Sequence, residues 1–593
     1  MTTAPNAKSL TDPRLRQFRR SSAVGLVTLI FVSLAMAGLL GRVVQLQLAD
    51  APKLDRFAGS RQSTMPLPAR RGDLEDRNGH PFAVSHIGYR LFVDPQMIED
   101  QSRFAVDLAH VLRDDPARID RLIGDNADRR YVVIDKLLDE DQLEEVTKLR
   151  SKAIGLEPRV IREYPQGKLA GPLIGFVGED GTGLDGLELL LNKKVTGQPG
   201  HVTYLHDAQR RPVWVEQADY TPPRSGGDVR LSIDLIVQGI AEQVLEETCA
   251  HYRAKSAEVV VMQATTGQLL AVANWPGFDP SQRGNVRPDF RKDRAVTDPF
   301  EPGSIFKPFV HAPATEAGIA RPEEKIDTTT SGSFSPFRGR ILHDAHPSGT
   351  ITWDQVLVKS SNIGMSQIGM RMGEKRMYEA VHKFGFGEMT GSGLPGESRG
   401  IVNPLKRWSK YSITSVPMGQ EIAVTPMQMV RGFSAFANGG LVVTPSILAS
   451  QADQPLYQRA ISAATADHTR DVLRRVVSEG TGKKAISKLY RIWGKTGTAQ
   501  VPDRVRGGYI DRAYTASFIC GAPLRNPAII VIVVIHQPDP AVGHFGGIVA
   551  APAATQIVDQ TLAYLGVPPD AEEDGPPDSS PDRKSDNPSH FAD

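Results

Sequence analysis

Ser304 and Lys307 stand three positions apart in Glu301-Pro302-Gly303-Ser304-Ile305-Phe306-Lys307, directly after a Pro-Gly turn signal. On the first turn of a helix, residues at that spacing lie side by side. The hydroxyl then has an amine within reach, and the helix amides point at any oxyanion formed there. That is a layout for an activated serine nucleophile. Alone the pair decides nothing, because Ser-x-x-Lys arises by chance about once or twice in a chain this long. Two later stretches add to it. Lys359-Ser360-Ser361-Asn362 precedes an apolar helical run, so Ser360 and Asn362 can project a hydroxyl and an amide from a loop or a helix start. Gly494-Lys495-Thr496-Gly497-Thr498-Ala499 follows Tyr490-Arg491-Ile492-Trp493 and reads as a strand. On it Lys495 supplies a cation and Thr498 a hydroxyl, while Gly497 removes a side chain so that another backbone can approach. Each stretch also has a plain structural reading: a satisfied polar cap for Ser360 and Asn362, and a surface-strand lysine for Lys495.

The elements that must position these groups are legible in outline. Asp228-Val229-Arg230-Leu231-Ser232-Ile233-Asp234 reads as a strand ending at a helix cap, and helical periodicity follows from Ile236 to Thr248. Glu258 to Gln263 and Gln268 to Ala273 read as strands joined by the Ala264-Thr265-Thr266-Gly267 hairpin. With a long helical middle and the late apolar strand from Ala528 to Ile535, they predict one large α/β domain built on an antiparallel sheet. Tyr220 to Gly227 is a linker by composition. Upstream, Asp76-Arg77-Asn78-Gly79 reads as a turn feeding a strand at Pro81 to Ser85, and residues 99–149 have the spacing of solvated helices in a small α+β module. Gly175, Gly178, Gly181, Gly183 and Gly186 lack the context of a phosphate-cradling loop and read as turn glycines.

Bulk properties narrow the function classes. A chain of 593 residues has room for an anchor and about two or three domains. A net charge of +1 gives no support for a nucleic-acid binder. Cys249 and Cys520 are the only cysteines and are expected as buried free thiols, one disulfide being the alternative in an oxidising compartment. No Cys/His spacing suits a metal, so neither zinc nor another cofactor is expected. Lys8, Arg14, Arg16, Arg19 and Arg20 precede an uncharged apolar run from Ser21 to Gly41, long enough to span a membrane with the N-terminus in the cytoplasm and the rest exported. Ala35-Met36-Ala37 resembles a signal-peptide cleavage site, but Gly38-Leu39-Leu40 continues the run, and an uncleaved anchor is the expectation. Gln45 to Arg70 reads as a stalk, and Pro568 to Asp593 as a disordered tail.

In the order Ser-x-x-Lys, Ser-x-Asn, Lys-Thr-Gly, the three stretches reproduce the signature of the penicillin-recognising serine enzymes. Ser585-Asp586-Asn587 matches the literal second motif better, but it lies after Lys-Thr-Gly in the tail and is given no role. From the anchor to about Leu565 the chain resembles class B penicillin-binding proteins, specifically the division-specific septal transpeptidases of the FtsI type. Arg71-Gly72-Asp73-Leu74-Glu75-Asp76-Arg77-Asn78-Gly79, Arg162-Glu163-Tyr164-Pro165, Gly183-Leu184-Asp185-Gly186-Leu187-Glu188, Arg294 to Asp298, Val424 to Gln428 and Gly546 to Pro552 carry the resemblance. Lys-Thr-Gly rather than Lys-Ser-Gly, Ala83-Val84-Ser85 with Asp94-Pro95, and overall length favour the division type over the elongation type. Departures are Pro417-Met418-Gly419-Gln420 in place of a Phe-Gly-Tyr-Gly-like turn, His544-Phe545 in place of an aromatic pair, and Asp185 in place of a glutamate.

The resemblance implies a mixed α/β (α+β) chain. Residues 1–22 form a cytoplasmic tail, 23–41 a single transmembrane helix, 42–222 an α+β pedestal module of the penicillin-binding dimerisation type, 228–566 the transpeptidase domain with helices flanking its antiparallel sheet, and 567–593 a tail. It implies that Ser304 attacks the penultimate D-alanine carbonyl of a peptidoglycan stem ending in D-Ala-D-Ala, with Lys307 as general base and Ser360 relaying a proton to the leaving amine. Asn362 would hold the donor amide, Lys495 with Thr496 and Thr498 would bind the terminal carboxylate that β-lactams mimic, and the amides of Ser304 and Thr498 would form the oxyanion hole. A membrane-embedded SEDS-type glycosyltransferase and other division proteins are the implied partners. Elongation-type transpeptidase, D,D-carboxypeptidase or β-lactamase-like hydrolase, and a non-catalytic anchored scaffold or sensor are the alternatives.

Overall fold

The computed structural model describes residues 13–48, 62–206, 212–503 and 505–571. Residues 1–12 of the expected cytoplasmic tail, 49–61 of the stalk, and the end of the chain with Ser585-Asp586-Asn587 lie outside them. The chain divides into two compact units, Met1–Leu67 with Pro199–Pro223, and Pro68–Gln198 with Arg224–Asp593.

In the first unit a helix runs from Pro13 to Leu48, and its Arg20–Gln47 stretch is long and apolar enough to cross a membrane. The same unit holds a three-stranded sheet of Gln62–Leu67, Gly200–His206 and Pro212–Thr221, with Gly200–His206 in the middle.

The second unit begins with the pedestal, whose spine is the strand Pro81–Val93. It pairs antiparallel with Ile154–Glu163 along its length, from Val84↔Glu163 to Val93↔Ile154, and with Val132–Leu138. The helical spacing expected across 99–149 breaks here. Gln101–Leu112, Pro116–Gly124 and Glu140–Lys148 are helices, but Val132–Leu138 is a strand whose Val132, Ile134 and Leu138 fill the core below them. Leu137 and Leu138 therefore close a strand, and the last helix starts after Asp139, which forms a capping box with Gln142. Under this sheet, Arg71 and Arg162 both reach the fully buried Glu188, donating at 2.8 and 2.7 Å. Leu74–Glu75 pairs parallel with Val229–Arg230, and the Asp76 carboxylate accepts from the Leu235 amide, so the pedestal runs directly into the helix that follows.

Beyond that junction lie α1 (Leu235–Tyr252), β1 (Ser256–Gln263), β2 (Leu269–Trp275), α2 (Pro308–Glu316), α3 (Asn362–Met372), α4 (Pro426–Ala437), α5 (Ala463–Ser478), β3 (Trp493–Pro502), β4 (Tyr509–Ala522), β5 (Ile529–His536) and α6 (Gly546–Tyr564). The sheet is antiparallel throughout, in the order β2-β1-β5-β4-β3. Its centre is apolar on both faces, which is why β1 and β5 read as continuous β-branched runs rather than as alternation. Val259, Val261, Val531 and Val533 pack under α1 and α6, while Val260, Met262, Ile530 and Ile532 face the opposite helical layer. In that layer Phe309 lies 4.8 Å from Phe386, Phe306 5.0 Å from Phe386, and Phe433 stacks on Trp493 at 5.1 Å. Phe306 and Phe309 of this layer flank Lys307 in the chain, one residue before it and two after. Cys249 and Cys520 are free and buried. The tail expected from Pro568 does not start there. Asp570 accepts from the amides of Arg491 and Leu524, and Tyr490 donates to the Val567 carbonyl, so the first tail residues are held to the domain.

Candidate active site

The nucleophile turn is fixed from both sides. Phe300 bridges antiparallel to Val424, and the Glu301 carboxylate accepts from the Glu421 amide and the Tyr509 hydroxyl. Gly303 sits at φ +54°, where it donates to the carbonyl of Gly419, itself at φ +75°. A Cβ on Gly419 would lie 2.2 Å from the Gly303 carbonyl oxygen, so the turn requires glycine at that place in the divergent Pro417-Met418-Gly419-Gln420 stretch. Gly303–Phe306 then forms a 3₁₀ turn that leads into α2. Pro308 opens α2 and deprives the Ser304 carbonyl of an i+4 donor; the Lys307 amide takes that place at 3.3 Å.

Lys307 is completely buried, and its ammonium nitrogen contacts the Ser360 carbonyl at 2.6 Å, the Asn362 amide oxygen at 2.8 Å and the Ser360 hydroxyl at 3.2 Å. Lys495, equally buried on β3, donates to the same Ser360 hydroxyl at 3.0 Å and to the Thr496 carbonyl at 3.0 Å. Two lysines therefore meet at one serine oxygen in a water-poor site. Burial brings Lys307 down to about 7, against the opposing pull of the Asp344 charge. Burial, followed by the charge of Lys307, holds Lys495 well below its ordinary value. A neutral amine keeps two hydrogens and one lone pair. The two short contacts of Lys307 use the hydrogens, leaving the lone pair free to take a proton. None of its hydrogen bonds runs to Ser304, whose half-buried hydroxyl sits one turn earlier. A base–nucleophile contact of this kind commonly tightens only when substrate arrives.

Ser360 takes a left-handed backbone conformation, φ +61°, between the helix Trp353–Val358 and α3. A non-glycine residue held there costs about 1–3 kcal/mol, so the surroundings must enforce it. Backbone bonds from Ser360 to Leu357 and from Ser361 to Val356 hold it on one side, and Asp344, at the end of the Arg340–His343 strand, braces the residues that follow. Its carboxylate accepts from the Ser361 hydroxyl at 2.5 Å, the Asn362 amide at 2.5 Å and the Ile363 amide at 3.0 Å. The Asn362 side chain is fixed at both ends, donating to the His343 carbonyl at 2.9 Å while its oxygen faces Lys307. Nothing in the sequence pattern marks Asp344, since it lies far from Ser361 in the chain and belongs to no local motif.

β3 lies at the edge of the sheet, with Lys495↔Ile519 and Gly497↔Ser517 paired on its inner side. A Cβ on Gly497 would fall 2.5 Å from the Ser517 hydroxyl and 3.0 Å from the Pro302 carbonyl, so glycine lets the strand lie against the nucleophile turn. Thr498 accepts from the Gly546 amide at 3.0 Å and keeps its own hydrogen to donate. Thr496 instead turns its hydroxyl to Thr481 at 2.7 Å and is buried. Of the eight residues singled out by sequence, the structure thus gathers Ser304, Lys307, Ser360, Asn362, Lys495, Gly497 and Thr498 around one edge, and turns the side chain of Thr496 away to Thr481. Among the described residues no group of three His, Cys, Asp or Glu side chains is placed to hold a metal. What the arrangement can do is transfer an acyl group through a serine ester, with a neutral amine and a bridging hydroxyl to move protons.

Comparison with known proteins agrees with that chemistry. The family described as "Penicillin binding protein transpeptidase domain" matches residues 257–559, and "Penicillin-binding Protein dimerisation domain" matches 66–231. The chain is 33% identical to the "Probable peptidoglycan D,D-transpeptidase PenA" of Neisseria meningitidis, over 91% of this chain and 92% of that one. It is 31% identical to the "Peptidoglycan D,D-transpeptidase FtsI" of Escherichia coli, covering 91% of both. A solved structure of penicillin-binding protein 3 from Mycobacterium tuberculosis, complexed with aztreonam, superposes with a TM-score of 0.65 at 29% identity, over 86% of this chain and 98% of that one.

Proposed function

The chain belongs to the class B penicillin-binding proteins and is a serine-type peptidoglycan D,D-transpeptidase, and from that premise we propose how its own residues cross-link stem peptides at the division septum. The carrying observation is the meeting of two buried lysines at the Ser360 hydroxyl beside the turn of Ser304. The neutral amine of Lys307 takes the Ser304 proton as the hydroxyl attacks the penultimate D-alanine carbonyl, and the oxyanion is held by the amides of Ser304 and Thr498. The proton passes through Ser360 to the departing D-alanine amine. Asn362 holds the donor amide, and the terminal carboxylate is met by Thr498 and Lys495, with Thr496 and Gly497 shaping the strand. The donor peptide adds along the edge of β3 as an extra strand. An amine from a second stem then attacks the Ser304 ester, releasing the serine and forming the cross-link. β-Lactams enter by the first half of this sequence and remain as the ester.

The septal assignment is supported by the Lys-Thr-Gly form of the third motif and by similarity to a relative named FtsI. We place the N-terminus in the cytoplasm, the helix over 23–41 in the inner membrane, the 42–222 pedestal and the 228–566 catalytic domain outside it, and a SEDS-type glycosyltransferase and division proteins alongside. The test supplies defined lipid-linked precursor, with and without co-purified glycosyltransferase, and measures free D-alanine and cross-linked muropeptides. The wild type releases D-alanine in step with cross-links, and Ser304→Ala yields neither. D-alanine release without cross-links would make the enzyme a carboxypeptidase, and equal cross-linking by Ser304→Ala would remove the nucleophile assignment.

A further inference from the structure

The three bonds of Asp344 do more than cap a helix. Its carboxylate binds the amide of Asn362, whose side-chain oxygen holds the Lys307 amine at 2.8 Å, so one residue separates an anion from the amine that must become neutral. The Ser361 hydroxyl and the Ile363 amide fix the same carboxylate, which leaves it no freedom to turn away. We propose that Asp344 is a positioning residue for acyl transfer: it locks the Ser360-Ser361-Asn362 turn in the geometry that aims Lys307 and Ser360, and it sets the electrostatic balance at Lys307.

The inference rests on the reading of Ser304 and Lys307 as nucleophile and base. The ionisable groups around Lys307 are few. Lys495 lies across the shared Ser360 hydroxyl, and Asp344 stands behind Asn362. His343 offers its backbone carbonyl to Asn362 while its ring contacts Ser333. His311, one turn further along α2, faces Asp354 at 3.4 Å. Burial favours a neutral Lys307, whereas Asp344 alone among these favours the ammonium. That opposition has a use. A lysine depressed too far is a poor base, and one left near its ordinary value is protonated at working pH, so an intermediate setting serves catalysis best.

The positioning half follows from the backbone. Ser360 is held at φ +61°, and both amides that begin α3 point at Asp344 rather than at water. Without an acceptor there, the turn keeps its backbone bonds from Ser360 to Leu357 and from Ser361 to Val356 but loses the brace on its following residues, and the carbonyl and hydroxyl that Lys307 contacts shift with it.

The test is the pH dependence of acylation of the full-length protein in detergent by a fluorescent penicillin, across about pH 5 to 9, a span that brackets the titration of the base. Wild-type acylation rises through about 7. Asp344→Asn keeps the size and one oxygen for the amides but removes the charge. Its acid limb moves to lower pH by roughly one unit, the scale of a nearby opposite charge, and its plateau falls roughly tenfold. Asp344→Glu keeps the charge but displaces the carboxylate, so its limb stays at the wild-type pH while the plateau again falls roughly tenfold. A folded Asp344→Asn protein whose limb does not move overturns the electrostatic role, and an Asp344→Glu protein with the wild-type plateau overturns the positioning role. If Asp344→Asn does not fold, the Asp344→Glu plateau alone decides the positioning claim. Absence of acylation in the wild type would remove the Ser304 reading and this inference together; wild-type acylation with both variants at the wild-type profile removes only this inference.

Discussion

Protein carrying Lys307→Ala is acylated by penicillin at least about 10³-fold more slowly than the wild type, while its thermal midpoint is essentially kept. General-base catalysis alone is typically worth about 10² to 10⁴. Here the same side chain also contacts the Ser360 carbonyl and hydroxyl and the Asn362 amide oxygen, so its loss disorganises the groups that complete the site. Stability moves less than rate because the residue is a fully buried amine, and removing it relieves a desolvation cost that offsets the void. The pH profile gives the sign. Burial lowers Lys307 to about 7, so the amine is neutral above that pH and protonated below it. Wild-type acylation therefore climbs with pH through about 7 and levels off above it. The variant lacks this limb. A Lys307→Ala protein that retains the wild-type limb would assign the base elsewhere, and Lys495 would be the next to examine.

Glu188→Ala lowers the stability of the pedestal by about 3–5 kcal/mol, the usual result of removing one partner from a buried ion cluster. Glu188 has no exposure, and its two oxygens take Arg162 at 2.7 Å and Arg71 at 2.8 Å. Arg71 is further tied to the Glu188 carbonyl, Asn192 and Thr196, and Arg162 to the Gly72 carbonyl and Ser85. These neutral acceptors would keep both guanidiniums in place, Arg71 without its carboxylate partner and Arg162 with only the 3.9 Å contact to Asp73. Urea unfolding followed by limited proteolysis at the pedestal checks this; a variant with an unchanged midpoint would show that the cluster contributes specificity of fold rather than stability. The stretches that carry Arg71, Arg162 and Glu188 lie far apart in the chain, which is how this cluster joins the two ends of the pedestal.

What was legible in the sequence follows from how local the signals are. The β1–β2 hairpin, α1 with its Asp234 cap and the β-branched β5 announce themselves within a few residues, and the structure places them there. The Val132–Leu138 strand was hidden because Val132-Val133-Ile134-Asp135-Lys136-Leu137-Leu138 does not alternate apolar with polar residues, and the charged residues after it have helical spacing. At the site, the motifs identify which side chains matter but not how they are bonded. Thr496 belongs to the Lys-Thr-Gly motif, yet its hydroxyl is taken up by Thr481, a partner on another segment that the motif does not name. Asp344 and the Gly303–Gly419 contact were invisible for another reason. They join segments distant in the chain, and only tertiary packing brings their partners together. The hold on the first residues after Pro568 is hidden for the same reason, since Asp570 accepts from the amides of Arg491 and Leu524, which are distant in the chain.

The central claim is that Ser304 carries the acyl group. The most direct measurement is the intact mass of the protein after incubation with benzylpenicillin, followed by mapping of the adduct in a proteolytic digest. The account predicts one penicilloyl group per chain, located on the peptide that contains Ser304, and none on Ser304→Ala protein. A penicilloyl adduct of wild-type stoichiometry on Ser304→Ala, or one mapped to another residue of the wild type, would contradict it.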